Sequence, residues 1–332
     1  MSEPHEALYN RILDVTAIIN MPIKIFVMVI IVRSSTRELR SFALFLFNGV
    51  FWNFMANFIF VFLHLYPMYP AECFRADGLV SLFSENETFG HVMFILLFVC
   101  IINCVLALSF TFPYRYMIFA HPIAVANFKQ HRVIVLCITV HVLMTSTFLL
   151  LYISWVVPSA GYPIKEELLQ VGTLFCFKPY GLDKDLVLLM FLIVMIQMLV
   201  TILVSSFLLL LSIRRASLTC NSVYLQTHKH ILWTLISITS IPVFVGGIPL
   251  VIAVVTAMSP HIPYAKPICM VCIVFISNHG TVYAIALILV IKPYRVAIQE
   301  MITTVVKPKG VSAVDGHNTL FVVRTTGNAL AC

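Results

Sequence analysis

Aspartate, glutamate, lysine and arginine are missing from six long apolar stretches of this chain: Ser41–His64, His91–Phe112, Val133–Ser154, Leu186–Ile213, Ile231–Met258 and Pro267–Ile291. A soluble helix of such length needs a charged face toward water. With 11% charged against 61% hydrophobic residues and a mean hydropathy of +1.00, the chain has too few charges to make one. Because these runs contain no acid, proton-coupled transport is disfavoured. The histidines are scattered, with no H-E-x-x-H and no clustered ligand spacing, so neither an enzyme, a metal nor a cofactor is expected. No lysine falls inside the last run, where Lys266 and Lys292 only flank it, which argues against a retinal Schiff base. Cys332 is the final residue, so the prenylation pattern is missing. A basic segment ahead of the first apolar run is lacking too, so that run reads as a signal anchor. No internal repeat is visible.

What is present is a set of membrane spans. Crossing a hydrocarbon core of about 30 Å takes roughly 20 apolar residues, and in lipid such a run must be helical to pair its own amides. Adding Ile12–Val32 gives seven. The fold class expected is therefore an all-α membrane protein, a seven-transmembrane helix bundle over residues 12–291, with 1–11 as N-terminus and 292–332 as tail. The connections are too short to bury a core of their own.

Charge gives the sidedness. Fourteen of the 21 lysines and arginines fall on one side of this layout, and eleven of the 14 acids fall on the other. Positive charge stays cytoplasmic, so the N-terminus is expected outside and the tail inside, in a multi-pass protein of the plasma membrane. The net charge of +7 is a topology signal, and nucleic acid is not an expected partner. An insect-type odorant channel would have its N-terminus inside, against this count.

Only Cys73 and Cys176 fall in outer loops, where an oxidising exterior favours a bridge; the alternative, that one or both are free, stays open, since spacing gives no distance. Asn86-Glu87-Thr88 is a glycosylation sequon on the same side. Within the tail, Ile298, Met301, Ile302 and Val305 share one helical face, predicting a membrane-surface helix over about 294–307 that contacts lipid.

The last span reads Ser277-Asn278-His279-Gly280-Thr281, and its exit Lys292-Pro293-Tyr294-Arg295. The third ends Pro113-Tyr114-Arg115-Tyr116-Met117-Ile118-Phe119, and the sixth carries Pro242 and Pro249 after His228-Lys229-His230. Together these resemble the S-x-H-G, PYR and "ENRYF"-type segments of nematode serpentine chemoreceptors, most like class H (Srh) of the Str superfamily, over residues 15–300. The resemblance implies a G-protein-coupled chemosensory receptor for a small molecule or short peptide, a heterotrimeric G protein as partner, and a sensory neuron's cilium as location. The alternative is a seven-helix protein without G-protein coupling, such as a transporter, channel or scaffold. A dimer is left open. Two features depart from rhodopsin-like receptors: the acid before the third-helix arginine is replaced by Pro113 and Tyr114, and N-P-x-x-Y is missing.

Candidate residues follow from this layout. Arg115, with Tyr116, Arg214, Arg215, Lys229, Tyr294 and Arg295, lies on the inner surface, where guanidinium donors could meet carbonyls of a partner helix; each also serves as a positive-inside anchor. Pro242, Gly246, Gly247 and Pro249 make the sixth helix a pivot or a static kink. Lys24 is a charge inside a span, costing about 2.5–3.5 kcal/mol. Its compensation is expected from His279 and Asn278, from an anionic ligand group, or from a later helix start that lets the ammonium reach an interface. Lys24, Asn103 and His279 are the candidate pocket residues. For Asn53, Asn57, Asn103, His141, Gln197 and His279, interhelical hydrogen bonding is the default expectation.

Overall fold

The computed structural model describes residues 4–35, 40–79, 86–121, 130–162, 174–216 and 222–306. Seven helices among the described residues are long and apolar enough to cross a membrane. They are α1 (Pro4–Ser34), α2 (Arg40–Leu63), α3 (Glu87–Ala120), α4 (Gln130–Trp155), α5 (Leu182–Ala216), α6 (Ser222–Ile241, continuing to Met258) and α7 (Ala265–Val290), and α8 (Lys292–Val306) follows. Each extends past or ends within a few residues of its apolar run. The largest departure is at the N-terminus, where helix begins at Pro4, so residues 4–11 are a helical extension of the first span.

α3 starts where a helix would be predicted to. Asn86 Oδ1 accepts from Thr88 N at 2.9 Å, and Glu87 sits in the first turn, where the helix dipole favours an acid. Glu87 also accepts from Ser159 N and Oγ at 2.7 and 2.8 Å, tying this helix start to the short turn after α4.

The outer loops are not all coil. Leu65–Pro67 (β1), Cys73–Ala76 (β2), Val156–Val157 (β3) and Leu174–Phe177 (β4) form a four-stranded antiparallel sheet in the order β1-β2-β4-β3. Cys73 pairs with Cys176 in register, and these two form a disulfide. The seven-helix bundle thus carries a small sheet in its outer loops that the sequence does not announce, since strands of two to four residues carry no readable period. The sheet is also too short to stand alone. Its stability comes from the aromatic layer beneath it. Phe74, Phe175 and Phe177 pack with Phe94, His91 and Tyr152, with ring centroids 5.2–6.1 Å apart, and Trp155 stacks on Phe177 at 4.2 Å. The loops thus bury a core after all, by sharing the bundle's.

Below that layer the second apolar core joins Val27, Ile30 and Ile31 of α1 to Leu46 and Val50 of α2, and to Ala284 and Leu287 of α7. α4 is the peripheral helix: 6% of its most apolar window is buried, against 56% for α3. Ile298 of α8 packs on the second core, while Met301 and Ile302 are exposed. Val305 and the tail from Lys307 lie outside the residues whose side chains are described.

Candidate functional site

The S-x-H-G segment of α7 is the point where α1, α2 and α7 meet, and each residue of it has a physical role. Ser277 O accepts from Asn57 Nδ2 at 2.9 Å and from Asn20 Nδ2 at 3.1 Å. His279 Nδ1 donates to Ile276 O at 2.5 Å, which fixes the tautomer. Its Nε2 is then an acceptor for Asn53 Nδ2 at 3.1 Å, and Asn53 Oδ1 in turn accepts from Lys24 Nζ. Lysine, asparagine, histidine and backbone carbonyl therefore form one donor-to-acceptor chain through three helices. Gly280 has no side chain because a Cβ there would coincide with the Asn53 amide.

Lys24 is fully buried. The later helix start is overturned, since α1 begins twenty residues before Lys24 and the ammonium reaches no interface. Its partner is Asn53, with His279 one hydrogen bond further on; Asn278 instead donates to Val274 O at 2.8 Å and Thr16 Oγ1 at 3.4 Å. The spacing of charges in the sequence could signal that Lys24 needs a partner. It could not say which of the polar residues on α2 and α7 would face it.

Two cavities lie one above the other along the bundle. A cavity of about 40 Å³ is bounded by Asn53, His279, Pro242, Gly246 and Gly247. Above it, a cavity of about 80 Å³ lies under the sheet, lined by Phe74, Phe98, Phe148, Trp155 and Phe191 among others. They share Phe60, Ile101, Leu250 and Ile276. Of the three pocket candidates, only His279 borders this system. Lys24 lines none of the described cavities, and Asn103 turns away toward α4.

Along the wall of the smaller cavity α6 changes geometry. Pro242–Gly247 is a π-helical turn, in which one extra residue is accommodated in the helix. Pro242, Gly246 and Gly247 are buried, while Pro249 is half-buried in the following turn. A Cβ on Gly246 would approach the His279 ring to 2.8 Å, so the absence of a side chain allows α6 to lie against the polar relay.

At the far end from the sheet, Arg115 rests its guanidinium 4.3 Å over the Phe42 ring, and its shielded Nε has no partner among the described residues. Tyr116 packs on the Leu209, Ile213 and Leu232 cluster of α5 and α6. Tyr294 is buried, its hydroxyl 3.0 Å from Ser35 Oγ, whereas Arg214, Arg215, Lys229 and Arg295 are exposed. Arg295 Nη1 donates to Leu289 O at 3.1 Å, closing the turn into α8.

At the sheet end, Glu72 and Lys184 form an ion pair with both side chains 6% exposed, and Lys184 also donates to Pro179 O at 3.2 Å. Loss of water lifts the Glu72 carboxyl from 4.5 to about 7, outweighing the hydrogen bond and charge of Lys184; Asp185 pushes the same way. The folded state holds this proton more tightly than the unfolded chain does. Stability from this group is therefore full below about pH 4.5, is lost as pH rises to about 7, and is flat above. Thermal unfolding of the purified protein should show a Glu72-dependent loss of order 1–3 kcal/mol across that window. Glu72→Gln should flatten it; an unchanged pH slope in that variant would contradict the assignment.

The comparisons agree with this architecture. Residues 4–304 match the family described as serpentine type 7TM GPCR chemoreceptor Srh. The crystal structure of squid rhodopsin superposes with a TM-score of 0.63 at 14% identity, covering 94% of this chain and 92% of that one, a likeness of fold alone. No curated protein matches the sequence. With the family covering all seven spans and the bundle matching a known receptor fold, the chain belongs to the Srh family of serpentine seven-transmembrane chemoreceptors and is a multi-pass membrane protein.

Proposed function

We propose that this protein is a G-protein-coupled chemosensory receptor of the plasma membrane of a sensory neuron, its sheet end outside, its basic end in the cytosol, and its ligand a small apolar molecule. The observation that carries the ligand class is the aromatic cavity under the sheet. Its lining offers almost only carbon, and its volume of about 80 Å³ suits a compact ligand better than a peptide. By the measure of 10–15 Å³ per water it holds on the order of five to eight such groups.

The route to the basic end follows from shared walls. Leu250 borders both cavities and stands just after the π-helical turn, so a ligand pressing on it acts on α6 where the helix is least regular. Straightening or rotating that turn separates the halves of α6 and opens the surface around Tyr116, Arg214, Arg215 and Lys229. Arg115, resting on an aromatic face, then turns toward the C-terminal carbonyls of a G-protein helix. With the sheet outside, Asn86 is accessible for glycosylation: its Oδ1 caps α3, and a glycan joins Nδ2.

A cell line expressing the receptor with a promiscuous G protein, challenged with apolar volatiles, tests this directly. Active compounds should lose at least about tenfold in potency in Leu250→Trp, which fills the shared wall, at equal surface expression; the factor corresponds to about 1.4 kcal/mol. Agonists indifferent to that substitution would place the ligand elsewhere. Compounds that bind purified receptor without second-messenger change would favour a non-coupled membrane protein.

A further inference from the structure

A third cavity, separate from the two inside the bundle, opens sideways between α2, α3 and α4. Its volume is about 740 Å³, within the range of small-molecule sites, and it shares no lining residue with the aromatic cavity. It lies along spans with no charged residue in its walls, yet Asn48, Asn103, His141, Thr145 and Ser146 line it. Neutral polar groups facing lipid are costly unless they are partnered.

The hydrogen bonds among them say which partner is missing. Asn103 Nδ2 donates to Val99 O at 2.7 Å and Thr145 Oγ1 at 3.0 Å. Its Oδ1 can only accept, so the close contact with His141 Nδ1 requires the proton on that nitrogen. Among the described residues no carboxylate lines the groove to hold an imidazolium, so the ring is neutral and Nε2 is a bare acceptor. Nε2 is shielded from solvent and has no hydrogen-bond partner among the described residues. The ring stands between Trp52, stacked at 6.5 Å, and Phe110 at 5.8 Å.

We infer that this groove is a lateral binding site for a bilayer-dissolved amphiphile carrying one hydroxyl, whose O–H donates to His141 Nε2 while its apolar body lies along α4. A carbonyl or ether oxygen cannot replace it, since neither donates. An entering hydroxyl displaces the half-exposed Trp52 ring, and the apolar body covers the exposed Ile134, Ile138 and Val142.

The test uses full-length receptor in lipid nanodiscs and a photoreactive sterol with a free hydroxyl. Labelling should map to residues 133–146, be competed at least about tenfold better by the unlabelled alcohol than by its ketone, and vanish in Ser146→Trp; tenfold is about 1.4 kcal/mol. Ser146 is exposed on α4 and outside the histidine's hydrogen bonds, so this variant blocks the groove without disturbing them. His141→Phe, which keeps a ring and removes the acceptor, should abolish the preference for the alcohol. Labelling elsewhere, equal competition by the ketone, or labelling that persists in Ser146→Trp would overturn the inference. So would efficient disulfide-linked dimers of Val142→Cys, which would show a second copy covering the groove.

Discussion

Asn53→Leu should leave almost no folded receptor at the cell surface, and adding Lys24→Met should bring much of it back. Lys24 is fully buried, and its one described hydrogen-bond acceptor is Asn53 Oδ1. Removing the one described acceptor of a buried ammonium leaves that charge uncompensated, which costs more than the about 1–3 kcal/mol of an unpaired neutral group. Against a net stability of 5–15 kcal/mol, that is a large fraction. Lys24→Met alone removes the charge itself and leaves only an unsatisfied amide oxygen, worth about 1–3 kcal/mol. The double variant has neither; it instead leaves His279 Nε2 without its donor, again about 1–3 kcal/mol. The expected order of melting temperature and surface expression is wild type, then the two Lys24→Met forms close together, then Asn53→Leu far below. Because Lys24 lines none of the described cavities, the Lys24→Met receptor should also keep its dose-response once expressed. An Asn53→Leu protein that folds normally with Lys24 present would show that the ammonium has another acceptor.

These residues show what the sequence reveals and where it stops. The seven spans are legible because hydrocarbon imposes length and the absence of charge, and both are one-dimensional properties. The S-x-H-G segment is legible as a family mark, but its physics is not. Asn53 and His279 are 226 positions apart, and nothing local tells that α2 and α7 present them to one another at Lys24. Asn103 shows the same limit: as a polar residue in a span it reads equally well as facing the cavity or facing α4, and helix rotation decides. Pro242, Gly246 and Gly247 announce an irregular helix, while its form, a π-helical turn against His279, depends on packing. The sheet is the largest omission, since strands of two to four residues lie below any periodic signal.

Cys73→Ser, Cys176→Ser and the double variant should all lower stability alike, by up to about 4–5 kcal/mol, and weaken apolar agonists at least about tenfold. The bridge spans 103 residues, and in the chain-entropy account a loop near that length gives the upper figure; helices already confined by a bilayer lose less freedom, so the effect falls at or below it. The consequence for ligand follows from position. Cys73 and Cys176 are opposite one another in the β2–β4 ladder, and the neighbouring pair is Phe74 with Phe175. Phe74 lines the aromatic cavity, and Phe175 stacks over it at 6.1 Å. Without the bridge, the β-ladders, the Lys184–Glu72 pair and the aromatic packing remain, but the covalent tie that fixes β2 against β4 over the cavity is gone, and strands this short hold their place less firmly. A receptor with intact bridge treated with reductant should reproduce the loss of potency. Cys137→Ser, which alters a half-buried free thiol in α4 that does not line the aromatic cavity, should leave both readouts unchanged. If the cysteine variants melted lower yet kept full agonist potency, the roof would be dispensable for binding, and the ligand would have to reside below the aromatic layer, beside His279.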